Sequence, residues 1–214
     1  MIKGAVFDMD GLMFDTETLV YNAWQKVMDD HNYKYDFEIF KQTLGKRTVD
    51  VKKMYEEMYD NNFVYATMRE EANVYFRKAI NDFGVPMKKG LINLLEHLKS
   101  KGIKIALATS TSSQTTMWIM GLADLKKYFN ALVCGNMVTN GKPHPEVFLT
   151  AAKELQLDPQ DCIALEDSIN GIKSAYNAGM KPIMVPDMLE PTDEIKPMLY
   201  ALCNDLDEVI QYFN

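Results

Sequence analysis

Asp8 and Asp10 stand one residue apart directly after an apolar run, Ile2 to Phe7, and Gly11 follows them. Alternate residues of a strand project to the same side, so both carboxylates can face one pocket where the strand ends. Two carboxylates held close repel each other unless a cation lies between them or one takes a proton. Asp and Gly are also ordinary turn residues, so the pair has a plain reading as a turn. Three further polar groups stand along the chain. Thr109-Ser110-Thr111-Ser112-Ser113 follows the run Ile103 to Ala108, and Glu166-Asp167-Ser168 follows Cys162 to Leu165. Gly141-Lys142-Pro143-His144-Pro145 lies between them. Singly, these could be a helix cap, a helix N-terminus and a solvated loop cation. Together they bring four acids, several hydroxyls and one lysine, a set suited to holding an anion beside a cation.

The elements that must position these groups are of two kinds. From residue 16 to 82 only helical patterns occur, over Thr16 to His31, Asp36 to Leu44, Thr48 to Tyr59 and Val64 to Asp82. From Gly84 onward, helix and strand alternate. Leu91, Leu94, Leu95 and Leu98 recur at helical spacing, and strands are expected over Ile103 to Ala108, Ala131 to Cys134, Cys162 to Leu165 and Pro182 to Val185. Such alternation implies parallel strands with helices on both faces. The expected fold is therefore α/β: a doubly wound, mostly parallel, Rossmann-like sheet of about five strands with an inserted α-helical cap. The core would comprise residues 1–15 and 83–214, and the cap residues 16–82. In such sheets ligands bind beyond the carboxyl ends of the strands, which is where the acids, the hydroxyls and the lysine fall.

Composition narrows the partners. Hydrophobic residues make up 47% of the 214 and charged residues 25%, as in ordinary globular proteins. A net charge of −7 argues against nucleic acid as a partner. No apolar run approaches the roughly 18 residues of a membrane span. The opening residues show no signal-peptide pattern, and Cys134, Cys162 and Cys203 read as unpaired thiols, so a cytoplasmic setting is expected. A monomer is expected, because the sheet is complete.

Asp8-Met-Asp-Gly, Ala-Leu-Ala-Thr109-Ser, Gly-Lys142-Pro-His-Pro and Leu-Glu166-Asp167-Ser-Ile-Asn-Gly resemble, in order and spacing, the four motifs of the haloacid dehalogenase superfamily. The helical insert and the stretch Gly179 to Asp187 resemble the subgroup of β-phosphoglucomutase, sugar-phosphate phosphatases and pseudouridine-5′-phosphate phosphatase. That resemblance implies Mg²⁺-dependent phosphoryl transfer from a small phosphorylated metabolite through an aspartyl-phosphate on Asp8. Asp8 and Asp167 would bind Mg²⁺ with the Asp10 carbonyl, and Glu166 would lie in or near the metal shell. Gly11, Thr109, Ser110 and Lys142 would hold the phosphoryl oxygens, and Asp10 would act as general acid and then base. Lys46 and Arg47 resemble a contact to the distal part of the substrate. The mutase has a histidine in its first cap helix and a lysine after the Ser/Thr loop, where this chain has Val20 and Ser112. Hydrolysis is therefore expected, with a phosphosugar mutase as the alternative. A receiver-like signalling module fits less well, since its phospho-acceptor ends the third strand, where this chain has Cys134-Gly135-Asn136.

Overall fold

Strand β1, Gly4–Phe7, is buried along its whole length, as befits a strand covered on both faces. It pairs in parallel with β2, Lys104–Ala108, on one side and β4, Cys162–Glu166, on the other. β3, Ala131–Val133, extends the sheet beyond β2, and β5, Lys181–Met184, extends it beyond β4. A two-residue strand β6, Ala201–Leu202, completes the order β3-β2-β1-β4-β5-β6. All five pairings are parallel. The computed structural model describes residues 1–44 and 48–214. Five expected strands are present within a residue or two of their bounds; β6 is additional.

The chain divides into two compact units, Met1–Asp15 with Met87–Asn214, and Thr16–Pro86. The first holds the sheet and helices α5 (Leu91–Ser100), α6 (Ser113–Leu122), α7 (Glu146–Leu155), α8 (Ile169–Asn177) and α9 (Leu206–Val209). The four leucines at helical spacing in α5 are all buried. On one side of the sheet, Val147, Phe148, Ala151 and Leu155 of α7 pack with Ala175 of α8 against Val6, Ala106, Val133 and Ala164. The small alanines let the helices approach the strands closely, while Phe148 fills the space they leave.

The second unit is helical: α1 (Thr16–Asp30), α2 (Phe37–Lys41), α3 (Thr48–Met58) and α4 (Tyr65–Phe83). α2 is shorter than the expected Asp36 to Leu44. Beyond Lys41 the bonds run three residues back, from Gln42 N to Ile39 O and Thr43 N to Phe40 O, which tightens the last turn out of α-helix. The unit's core is aromatic: the Trp24 ring lies 5.2 Å from that of Tyr55 and 5.6 Å from that of Tyr65. Tyr35 and Tyr55 share a 2.9 Å hydroxyl hydrogen bond in the interior. Among the described residues no helix is long and apolar enough to cross a membrane.

Candidate active site

The strand order reverses at β1 and β4, because the chain runs outward from β1 through β2 and β3 on one side and through β4, β5 and β6 on the other. That reversal is where doubly wound sheets bind ligands. Asp8 leaves the end of β1, its N–H donating to Leu165 O of β4 at 3.0 Å. The chain then turns tightly, with Gly11 N donating to Phe14 O at 2.9 Å. Gly11 has φ 82°, a left-handed backbone that few side chains tolerate. A Cβ at this position would stand 2.3 Å from Asp167 Oδ2 and 3.2 Å from Asp187 Oδ2. The glycine thus gives the turn its shape and leaves room for two carboxylates.

Lys142 joins three strand ends. Its ammonium donates to Asp8 Oδ1, to Ala108 O at 3.0 Å and to Glu166 Oε1 at 2.6 Å. These are the ends of β1, β2 and β4, and they take all three donors of the group. Its side chain is 7% exposed and lies 5.0 Å from the centre of the Phe148 ring. Glu166, fully buried, accepts at Oε2 from Asp167 N (3.1 Å), Ser168 N (3.0 Å) and Ser168 Oγ (2.9 Å). Both its oxygens are therefore engaged. Glu166 thereby anchors Lys142 and closes the first turn before α8. Gly171 makes this possible, since a Cβ there would lie 1.8 Å from Glu166 Cδ.

Asp10 faces the loop after β2. Its Oδ2 accepts from Thr111 Oγ1 at 2.6 Å and from Thr109 Oγ1 at 3.4 Å, and Thr109 Oγ1 itself accepts from Thr111 N at 3.0 Å. Thr109 is buried and Ser110 exposed. Ser112 caps α6 through its side chain, so the hydroxyl run serves both as a cap and as a partner of Asp10. Lys46 and Arg47 lie outside the described residues. Two other large side chains of the helical unit are engaged within it: Trp24 belongs to the aromatic core and Tyr75 donates to Asp30 at 2.8 Å. Sequence reasoning missed Thr111, Asp187, the Ala108 carbonyl and the role of Gly171.

Charge at the site is unbalanced. Burial pushes the Asp8 carboxyl up, Lys142 pulls it down, Glu166 and Asp10 push it further, and it settles at about 8. Burial also works to lower Lys142, but Asp8 and Glu166 outweigh it and hold the ammonium above its ordinary range. Among the described residues, no three His, Cys, Asp or Glu side chains are gathered as a metal shell on their own. The oxygens gathered here belong to carboxylates, threonine hydroxyls and a main-chain carbonyl. An all-oxygen donor set with surplus negative charge, and with Asp187 Oδ2 buried without a partner, fits a hard divalent cation such as Mg²⁺.

A profile of haloacid dehalogenase-like hydrolases matches residues 5–185. The chain belongs to this family. This haloacid dehalogenase-like hydrolase is 32% identical over 187 residues to the phosphorylated carbohydrates phosphatase of Thermotoga maritima, covering 85% of this chain and 84% of that one. It is 34% identical over 196 residues to a Drosophila melanogaster protein named as a probable pseudouridine-5′-phosphatase, covering 87% and 82%. Among solved structures, β-phosphoglucomutase from Clostridium difficile superposes with a TM-score of 0.79 at 27% identity, over 100% of this chain and 97% of that one.

Proposed function

We propose that this hydrolase is a Mg²⁺-dependent phosphatase of small phosphorylated sugars or nucleosides, working through an aspartyl-phosphate on Asp8, as a cytoplasmic monomer. The observation that carries the reading is the Lys142 ammonium, held between Asp8 and Glu166 with Asp10 beside two threonine hydroxyls. The relatives named as phosphatases support the same class, and the three buried, unpaired cysteines suit a reducing compartment.

A phosphate monoester repels an incoming anion, so a carboxylate nucleophile needs positive groups around it. Asp8, Asp167 and the Asp10 carbonyl would hold Mg²⁺, which supplies charge neutralisation to the phosphoryl oxygens. Asp8 attacks phosphorus while the bond from phosphorus to the leaving oxygen breaks. Lys142, fixed by Ala108 O and Glu166, meets the charge that develops without reorganising. Asp10 passes a proton to the leaving oxygen. A water then attacks the phosphorus of the aspartyl-phosphate and gives its proton to Asp10, which restores both carboxyls and frees inorganic phosphate. Thr109 and Thr111 hold Asp10 between these two transfers, and Thr109 with the amides of its loop binds the phosphoryl oxygens.

The second reading is a phosphosugar mutase, favoured by the likeness to β-phosphoglucomutase and opposed by Val20 and Ser112. Incubation with a panel of phosphorylated metabolites and Mg²⁺, following free phosphate and isomerised sugar phosphate together, separates the two. The hydrolase releases phosphate; glucose 6-phosphate formed from β-glucose 1-phosphate without phosphate release would establish the mutase.

A further inference from the structure

Asp187 lies just past the end of β5, after Val185 and Pro186. Its side chain is only 9% exposed. One oxygen, Oδ1, accepts from Lys88 Nζ at 2.6 Å. The other, Oδ2, is buried and has no hydrogen-bond partner. A buried carboxylate oxygen left unpaired costs free energy, so an ionised Asp187 wants a donor or a cation on that side. The geometry says which side it is. Oδ2 stands 3.2 Å from the point where a Cβ on Gly11 would be, and Asp167 Oδ2 stands 2.3 Å from the same point. Two carboxylate oxygens thus converge on one spot beside the turn that bears Asp8 and Asp10.

This convergence is the reverse of what a purely structural ion pair needs. Lys88 already satisfies Oδ1, and a bridge built for stability would turn its second oxygen toward solvent or a second donor. Here it lies buried against the Gly11 turn, which Asp167 also approaches. We propose that Asp187 is a further carboxylate of the cation site, accepting through Oδ2 from water held on the ion, while Oδ1 stays with Lys88. It is a positioning residue, since the nucleophile and the proton carrier are Asp8 and Asp10. The inference rests on the metal dependence proposed above. Carboxylates in the second layer of a metal site orient the ligands and bound water, and their loss weakens binding by about 10–100-fold.

The two residues of the bridge give opposite expectations, which makes the inference testable without turnover. Mn²⁺ binding is titrated on the full-length protein from the paramagnetic resonance signal of the free ion, in wild type, Asp187→Asn and Lys88→Met. Far-UV circular dichroism confirms that each variant is folded. Asp187→Asn should raise the Mn²⁺ dissociation constant about tenfold, whereas Lys88→Met, which removes a competing positive charge, should leave it unchanged or lower it. Equal weakening in the two variants would mean that only the ion pair matters and would overturn the inference. So would an unchanged constant in Asp187→Asn while the wild type binds Mn²⁺. Absence of saturable Mn²⁺ binding to the wild type would overturn the metal dependence of the proposed activity as well.

Discussion

Gly171→Ala is a one-methyl change with a large expected effect. The added Cβ would lie 1.8 Å from Glu166 Cδ, 1.9 Å from Oε1 and 2.2 Å from Oε2, where unstrained carbon contacts need about 3.5–4.0 Å. Glu166 is fully buried, and α8 is fixed by the Ser168 cap and by Ile172, packed among Met184 and Ile195. The carboxylate must therefore retreat by about 1.5–2 Å if the contact is to become an ordinary one. That stretches its 2.6 Å bond to Lys142 and its three bonds to Asp167 N, Ser168 N and Ser168 Oγ. Disrupting a buried ion pair costs about 3–5 kcal/mol, and displacing a catalytic group by an ångström costs about 100-fold in rate. Urea unfolding and phosphate release from an aryl phosphate read the two effects. Gly121→Ala in α6 is the control, because its nearest neighbour would be Lys126 Nζ at 3.8 Å; it should stabilise by about 0.5–1 kcal/mol. Glu166→Asp, a methylene shorter, should recover part of the loss when combined with Gly171→Ala, giving a coupling energy of about 0.5–3 kcal/mol. Wild-type stability and turnover in Gly171→Ala would refute the reasoning.

Other perturbations follow from the same site. Lys142→Met leaves Asp8 and Glu166 buried without their shared cation, and should lower the unfolding free energy by about 3–5 kcal/mol along with eliminating turnover. Thr111→Val removes the 2.6 Å bond to Asp10 and should lower kcat more than it raises KM, since it leaves Asp10 less well placed for proton transfer. The Asp8 carboxyl rises in the folded protein from 3.8 to about 8, so folding favours its protonated form. Metal-free protein should therefore lose stability as pH climbs from about 4 toward 8. A cation must displace the proton, so Mg²⁺ affinity should increase over the same range with proton release, measurable by calorimetry in buffers of different ionisation enthalpy. A pH-independent affinity would contradict this.

What could be seen in the sequence depended on whether a local pattern marked it. Asp8, Asp10, Thr109, Glu166 and Asp167 each end an apolar run, so strand polarity alone sends them to one edge of the sheet. The plain readings of the hydroxyl run and of Glu166 also hold: Ser112 caps α6, and Glu166 accepts from the amides before α8. One residue serves packing and chemistry together, so the two readings were never exclusive. Thr111 was hidden because nothing distinguishes it from its hydroxyl-bearing neighbours. Asp187 is a lone acid in a turn, and only the tertiary approach of Gly11 reveals it. Gly171 sits within a helical pattern where glycine looks merely tolerated, while its use is steric and long-range. β6 spans two residues, too short for any alternation to register.

The central claim is that Asp8 carries the phosphoryl group. An acyl phosphate is reduced by borohydride to the alcohol, so quenching during turnover with borohydride converts a phosphorylated aspartate into homoserine. Peptide mapping of enzyme quenched with Mg²⁺ and a turned-over substrate should find homoserine at position 8, none at position 10, and none when substrate is omitted. Steady phosphate release with Asp8 recovered intact, or homoserine at another acid, would contradict the account.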